Sequence, residues 1–563
     1  MRKGSDGEMK PTVILFLAAI LCSPASRAQD SLDKLASDFW AWRVQSQPFN
    51  NDDVPRVERP LGQKRTWSAN SVTRQREMLA AFETRWEHLD GEKRTTAEQV
   101  DYRLMGSALS RVRWELDLNR RWQRDPIFYL EQSLTPVLTV LLPPPPFDGA
   151  RSHELILRLG NVPSILEEGK DNLKDSVGPF ARLAIDSLGR IRAELHVVGR
   201  SVTPLLTGSD HEELAPAIDR ATVALESFRA WLEQRLPQMT QQVTAGRDAY
   251  VYFLKNVALY PFTPEQLLEM SHQEWARAVV SEQFEHQRNR DVARLKKFAT
   301  VEEQIERTSQ MEASIRSLLS SERILTVPSS FPHYTARLVP DYLTALGDFG
   351  ELDDFTGPSR LDQNCVRWTP KPSGELGYFA DSTARDTRPI IVHEGVPGHY
   401  MQLWLSWNNP DPIRRHYYDS GANEGIGFYA EEMMLRAGLF DDSPRTREII
   451  FNFMRLRALR VEVDVKLALG EFTVEQGANY LAKMVPMDLR TAQSEAAFFA
   501  TQPGLAIAYQ TGKLQITDFL AEARLRSGDK FDLKAIQDFI WVNGNVPIAL
   551  QRMEWFAAHP AGN

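Results

Sequence analysis

Apolar residues recur every three to four positions through most of this chain, the spacing of one buried face of a helix. The stretches "SVTRQREMLAAFETRWEHLD" (71–90) and "TTAEQVDYRLMGSALSRVRWELDLNRRW" (95–122) show it clearly, as do 152–170, 173–198, 212–246 and 264–290. "FTVEQGANYLAKM" (472–484) is a further helix, with Thr473 placed to cap its N-terminus. Alternation of the strand type is confined to short runs, the best being "ARLVPDYL" (336–343) and "RPIIVHE" (388–394). "LLPPPPFDGA" (141–150) has four consecutive prolines and cannot be helical. It reads as a stiff extended connector, marking a sub-lobe boundary or crossing the surface of one body. The pattern predicts a mainly α body with minor β-strands.

The N-terminus departs from that pattern. An apolar run from Thr12 to Cys22 follows Lys10 and precedes Ser26-Arg27-Ala28. This is the layout of a secretory signal, with cleavage expected after Ala28 and Met9 as an alternative start. The run is shorter than the roughly 20 residues needed to span a bilayer. Residues 1–28 are therefore read as a cleaved signal and 29–563 as one exported domain, periplasmic or secreted. Leu21, large for the position before a lipid-bearing cysteine, argues against a lipoprotein. Removal of the signal leaves Cys365 of the two cysteines, so no internal disulfide is expected. Cys365 reads as a small buried apolar residue.

Composition narrows the field further. With 42% apolar residues, 13 Trp and 27 Phe, 563 residues supply a large core. A net charge of −9 disfavours nucleic-acid binding.

Chemistry concentrates in "IIVHEGVPGHYMQ" (390–402), which holds His393, Glu394 and His399. Zinc hydrolases place two histidines four apart on a helix, with a glutamate beside the first. Here the histidines are six apart, about 120° around a regular helix, and could not share a metal unless the helix were distorted. Pro397 lacks the N–H that would bond the His393 carbonyl, and Gly398 frees the backbone. The expectation is a bulge that absorbs two residues before the helix resumes at His399. A third ligand, completing a zinc site with one open position, is sought on a later helix. "NEGIGFYAEEMM" (423–434) offers Glu424, with Asn423 or Ser420 as its cap. Glu431, two turns on, can orient a ligand imidazole from behind.

The same residues carry a resemblance. "HEGVPGHYMQ" resembles the H-E-x-x-P-G-H-x-x-Q signature of the bacterial family called domain of unknown function 885, grouped with gluzincin-type zinc peptidases. "EGIGFYAE" is similar to its E-G-W-A-x-Y-x-E, and "DFWAWRVQSQP", "VPSILEEGKDNL" and "VNGNVPIAL" also fit. The resemblance implies a helical, two-lobed peptidase with a deep channel and one Zn2+. By it His393, His399 and Glu424 are ligands and Glu394 the general base. Tyr509 is a candidate donor to the oxyanion, or else a packed helix aromatic. Gln402, Tyr378 and Arg460 are weaker candidates for supporting or substrate contacts; Arg460 could equally pair with Glu462 or Asp464. The chain departs from the family pattern downstream. Ala468 stands for a His, Phe498-Phe499 for Arg-Tyr, Leu505 for Gln, and Ile536-Gln537 for Phe-His. The metal-binding half is intact and the substrate-facing half altered, which points to retained hydrolysis with shifted specificity.

The expected activity is a zinc-dependent hydrolase acting on a peptide. The alternatives are a zinc amidase on a non-peptide substrate and a non-catalytic binding protein.

Overall fold

The computed structural model describes residues 24–49, 58–63, 66–89, 94–208, 210–372 and 376–560. The apolar run and Cys22 of the expected signal lie outside them. The protein is mainly helical, with one small sheet. Among the described residues no helix is long and apolar enough to cross a membrane.

Most predicted helices form close to their expected bounds, including Ala69–Glu87, Gly149–Asn172, Pro264–Arg288 and Val474–Met484. Thr473 caps the last of these, in a reciprocal box with Gln476. Three expectations are corrected. The stretch 173–198 contains two helices, Gly178–Ser187 and Ile191–Val202, separated by a turn at Leu188–Arg190. The helix expected over 212–246 ends at Arg235, because Pro237 cannot continue it. "RPIIVHE" is helical rather than extended. Ile391 and Val392 are both fully buried, and a short apolar run enclosed on all sides carries no period to separate strand from helix.

Three strands form the sheet: β1 (Tyr334–Leu338), β2 (Asp353–Asp354) and β3 (Cys365–Thr369). Their order is β1-β3-β2, with β1 parallel and β2 antiparallel to the central β3. Cys365 on β3 is buried and unpaired with another cysteine.

One large apolar core gathers helices between Leu32 and Leu232 with Tyr342, Phe349 and Trp368. The four-proline segment is a corner within this core, since Leu138 and Leu141 before it and Phe147 and Leu155 after it all belong there. Arg151 holds the corner by donating to the carbonyls of Val140, Leu141, Pro143, Pro144 and Pro146. A second large core surrounds the His-Glu motif with Val392, Tyr400, Ile426, Phe428 and Trp541.

Six helices position the chemistry: α1 (Pro264–Arg288), α2 (His399–Trp407), α3 (Ser420–Arg436), α4 (Pro444–Leu469), α5 (Leu489–Thr501) and α6 (Ala508–Ser527). α3 and α6 cross backbone to backbone. A Cβ on Gly425 would lie 2.5 Å from Gly512 Cα, and one on Gly512 would overlap the Gly421 carbonyl. No side chain larger than hydrogen fits between these helices. Beside the crossing Lys513 is buried, with Nζ 2.9 Å from Glu274 of α1 and 2.8 Å from Glu432 of α3. Burial pushes the Glu432 carboxyl up, but the Lys513 ammonium outweighs this and holds it at about 2.

The folded state thus lowers the Glu432 pKa, so its contribution is complete above about pH 4.5 and lost as pH falls toward 2. Lys513→Met leaves two carboxylates facing each other and is expected to cost about 3 kcal/mol at neutral pH. Urea unfolding should show that deficit shrinking at about pH 4, where the carboxylates can take up protons; an equal deficit at both pH values would contradict the pairing.

Candidate metal centre

The helix carrying His393 does not bulge and continue, as expected; it is interrupted. Residues Ile391–Gly395 form a π-turn closed by Val396 N–H donating to the Ile391 carbonyl at 2.9 Å. Val396 is extended (φ −128°, ψ 122°), and α2 begins afresh at His399. Two fittings hold the interruption. Gly398 lies directly on the His393 and Val392 carbonyls, where any Cβ would overlap. Its role is close approach rather than an unusual φ. The Trp541 indole donates to the Pro397 carbonyl at 2.6 Å. The Tyr334 ring of β1 covers Gly395, where a Cβ would lie 2.7 Å from it, so the sheet supports the turn from below.

The interruption brings the two imidazoles together. Their centroids are 4.7 Å apart at 77°. Glu424 Oε2 is 3.6 Å from His393 Nε2 and 3.3 Å from His399 Nε2. The candidate ligand atoms of the three residues lie within 4.8 Å of one another, all three side chains are buried, and Glu424 Oε2 has no hydrogen-bond partner. The rings rest over Gly427, where a Cβ would be 2.8 Å from His399 Cε1 and 3.1 Å from His393 Cε1.

Charge in this cluster is strongly coupled. Burial lowers the His393 pKa, but the Glu424 and Glu431 carboxylates outweigh it and hold the ring at about 9. Burial raises the Glu424 pKa, and the two imidazoles outweigh that, holding the carboxyl far below the usual range. Two buried rings and a carboxylate that favour positive charge between them fit a divalent cation. Among the described residues this is the one group of three such side chains.

Glu431 Oε1 is 2.7 Å from His393 Nδ1 and 3.1 Å from Arg457 Nη2. Glu394 is half-buried and makes no hydrogen bond or ion pair to a described residue. Tyr509 of α6 stacks on His393, centroids 6.3 Å apart at 15°. Arg460 lies 4.7 Å over the other side of the Tyr509 system and is paired with Glu495 of α5 through Nε at 2.7 Å. The Arg460 pairing with Glu462 or Asp464 is thereby corrected. Glu462 turns to Lys466 and Tyr480. Asp464 accepts from Tyr250 and from the Gly504 and Ala506 N–H groups.

Three further placements differ from expectation. The α3 cap is Asp419, whose carboxylate accepts from Ala422 N–H at 2.8 Å, instead of Asn423 or Ser420. Asn423 donates to Gln402 Oε1 at 2.6 Å, and Gln402 donates to Asn545 at 2.8 Å. Gln402 is fully buried, so it braces α2 against α3 and the C-terminal segment and does not face a substrate. The Tyr378 hydroxyl donates to Asn452, and its ring packs on Phe379 and Phe453 in an aromatic wall behind Arg457.

Sequence reasoning missed Arg457, although its three-residue spacing from Arg460 puts both on one face of α4. It also missed Glu351 and Asp353 near Glu394. Glu351 is open to solvent yet lies deep among protein atoms, and those surroundings, with the Glu394 and Asp353 carboxylates, push it up to about 8. No local spacing joins residues 351 and 394. Of the departures from the family pattern, Ala468 and Ile536 are buried in apolar cores, and Gln537 donates to the Tyr429 hydroxyl at 2.9 Å. Phe499 lies under Arg460.

The chain belongs to the family described as bacterial protein of unknown function, DUF885, whose model matches residues 58–553. No curated protein matches it. Two solved structures share the fold. One, from Shewanella oneidensis, is described as a "putative lipoprotein of unknown function"; it has a TM-score of 0.69 at 18% identity, over 95% of this chain and 100% of the other. The other, a "putative lipoprotein" from Colwellia psychrerythraea, has a TM-score of 0.74 at 16% identity, over 96% and 100%. These descriptions overturn the sequence-based argument against a lipoprotein, which rested on the size of Leu21 alone.

Gly398→Ala sets a methyl against backbone that cannot yield, and Gly427→Ala sets one against two rings that can. The first is expected to lose more stability than the second, which should lose about 1–3 kcal/mol. Thermal unfolding ranks the two variants, and a Gly398→Ala protein as stable as the parent would refute the close contact.

Proposed function

We propose that this DUF885 member is a zinc-dependent hydrolase that cleaves peptide bonds, in the manner of a gluzincin-type peptidase with its centre in a channel between two lobes. The observation that carries the reading is the convergence of His393, His399 and Glu424 with an unpaired carboxylate, Glu394, next to the first histidine. Three protein ligands suit a catalytic site, which keeps a position open, whereas a structural site closes all four.

Zinc, when bound, supplies the Lewis acidity that lowers the pKa of water to about 7 and polarises a carbonyl. The chain's own residues then divide the remaining work. Glu394 takes a proton from the attacking water as oxygen adds to the amide carbon. It returns that proton to the nitrogen as the C–N bond breaks, so an acid and an amine leave. Glu431 fixes the ring of His393 through Nδ1, and Arg457 fixes Glu431. Tyr509 supplies a hydroxyl donor to the oxyanion. Its ring is held between His393 and Arg460, so the hydroxyl needs little reorganisation.

Purified protein is expected to hold about one zinc per chain by elemental analysis, and His393→Ala to lose it. Glu394→Gln should keep the metal while peptide hydrolysis falls by roughly 10²–10⁴-fold. Wild-type turnover in that variant would sink the mechanism.

Tyr509→Phe is expected to lower kcat by on the order of 10²-fold with KM little changed, since the hydroxyl acts on charge that develops during the reaction. Steady-state kinetics on one peptide separates this from simple packing, which would leave kcat intact.

A further inference from the structure

A cavity of about 130 Å³ lies beside the metal centre, at the N-terminal ends of α3 and α6. Tyr417, Tyr418 and Ser420 line it on one side and Gln502, Pro503 and Leu505 on another. Ser420 and Glu424 are four apart on α3, so they share a face, and the cavity begins one turn, about 6 Å, from the carboxylate that faces the two histidines. Leu505 stands where the family pattern has Gln, so this wall is one of the altered ones.

The cavity contains an excess of donors. Arg43 is 3% exposed; its Nη2 makes both contacts to Glu115, at 2.5 and 2.7 Å, and its Nη1 is buried with no partner. Trp40 Nε1 and Gln502 Nε2 are likewise buried with no partner. Arg111, half-buried in the same wall, makes no side-chain hydrogen bond or ion pair to a described residue. Buried donors without acceptors are costly, and a charged one more so. Four of them around one space, two on guanidinium groups, match an anionic planar acceptor. The rest of the wall is aromatic, including Trp114, Phe128 and Phe253.

We propose that this cavity binds the free C-terminal carboxylate of a peptide substrate, with an apolar terminal side chain against the aromatic wall. The scissile bond then falls at the metal centre, and a short C-terminal piece is released. The enzyme would be a carboxy-terminal exopeptidase. This assignment rests on the hydrolase reading above, but the cavity can be tested apart from turnover.

The test uses acetyl-Ala-Ala-Ala-Phe as the free acid and as the carboxamide. Binding of each to zinc-loaded Glu394→Gln protein is measured by calorimetry, and cleavage by wild-type protein is followed by mass spectrometry. The acid is expected to bind on the order of tenfold to a hundredfold more tightly than the amide. Arg111→Ala and, separately, Gln502→Leu should erode that preference while leaving amide binding unchanged. Cleavage of the acid should release C-terminal fragments. Equal binding of acid and amide, or a preference untouched by both variants, overturns the cavity assignment even if both peptides are cleaved. An acid preference that depends on Arg111, with no cleavage of either peptide, upholds the cavity and overturns the hydrolase.

Discussion

The centre depends on a reversal of the chain between two histidines that a regular helix would point apart. The reversal succeeds because Gly398 can lie against the backbone of His393 at a distance no side chain permits. Everything else at the centre is arranged around that contact. The Tyr334 ring closes the turn from the sheet, Trp541 holds the Pro397 carbonyl, and Gly427 leaves a hollow on α3 for both rings. The three glycines have different tasks. Gly395 admits a ring, Gly398 admits backbone, and Gly427 admits two imidazoles.

A second close approach sets the opposite wall. The crossing of α3 and α6 at Gly421, Gly425 and Gly512 fixes the spacing between Glu424 and Tyr509, which sit on those two helices. Arg457 and Arg460 arrive from α4, one reaching Glu431 and the other the Tyr509 ring. Rigid backbone contacts thus determine where the polar groups fall, and the charge coupling among His393, Glu424 and Glu431 follows from that enforced proximity. Such a scaffold suits chemistry in which the groups must be in place before the substrate arrives.

Much of the centre was legible in the sequence, because its principal residues lie in two short stretches. The His393-to-His399 spacing pointed to a distortion, and the Pro-Gly pair located it. The form of the distortion was not legible. An interruption and a bulge differ in tertiary support, here from Tyr334 and Trp541, which lie far away in sequence. The helices were legible from period, and their breaks at Leu188–Arg190 and Pro237 less so. "RPIIVHE" misled because complete burial erases the contrast between faces. Arg460 misled because local charges at Glu462 and Asp464 looked closer than Glu495, which only the packing of α5 on α4 brings near. Glu351 and Arg111 had no signal at all, since their meaning depends on what surrounds them in space.

The bond from Trp541 to Pro397, with that from Gln402 to Asn545, has a consequence for the order in which the protein comes into being. The His-Glu motif emerges from the ribosome well before its clamp does. Until residues 541–545 have been synthesised and folded back, the interruption lacks its outer support. Completion of the centre is therefore coupled to completion of the chain, and fragments that end early carry the motif without the means to hold its shape.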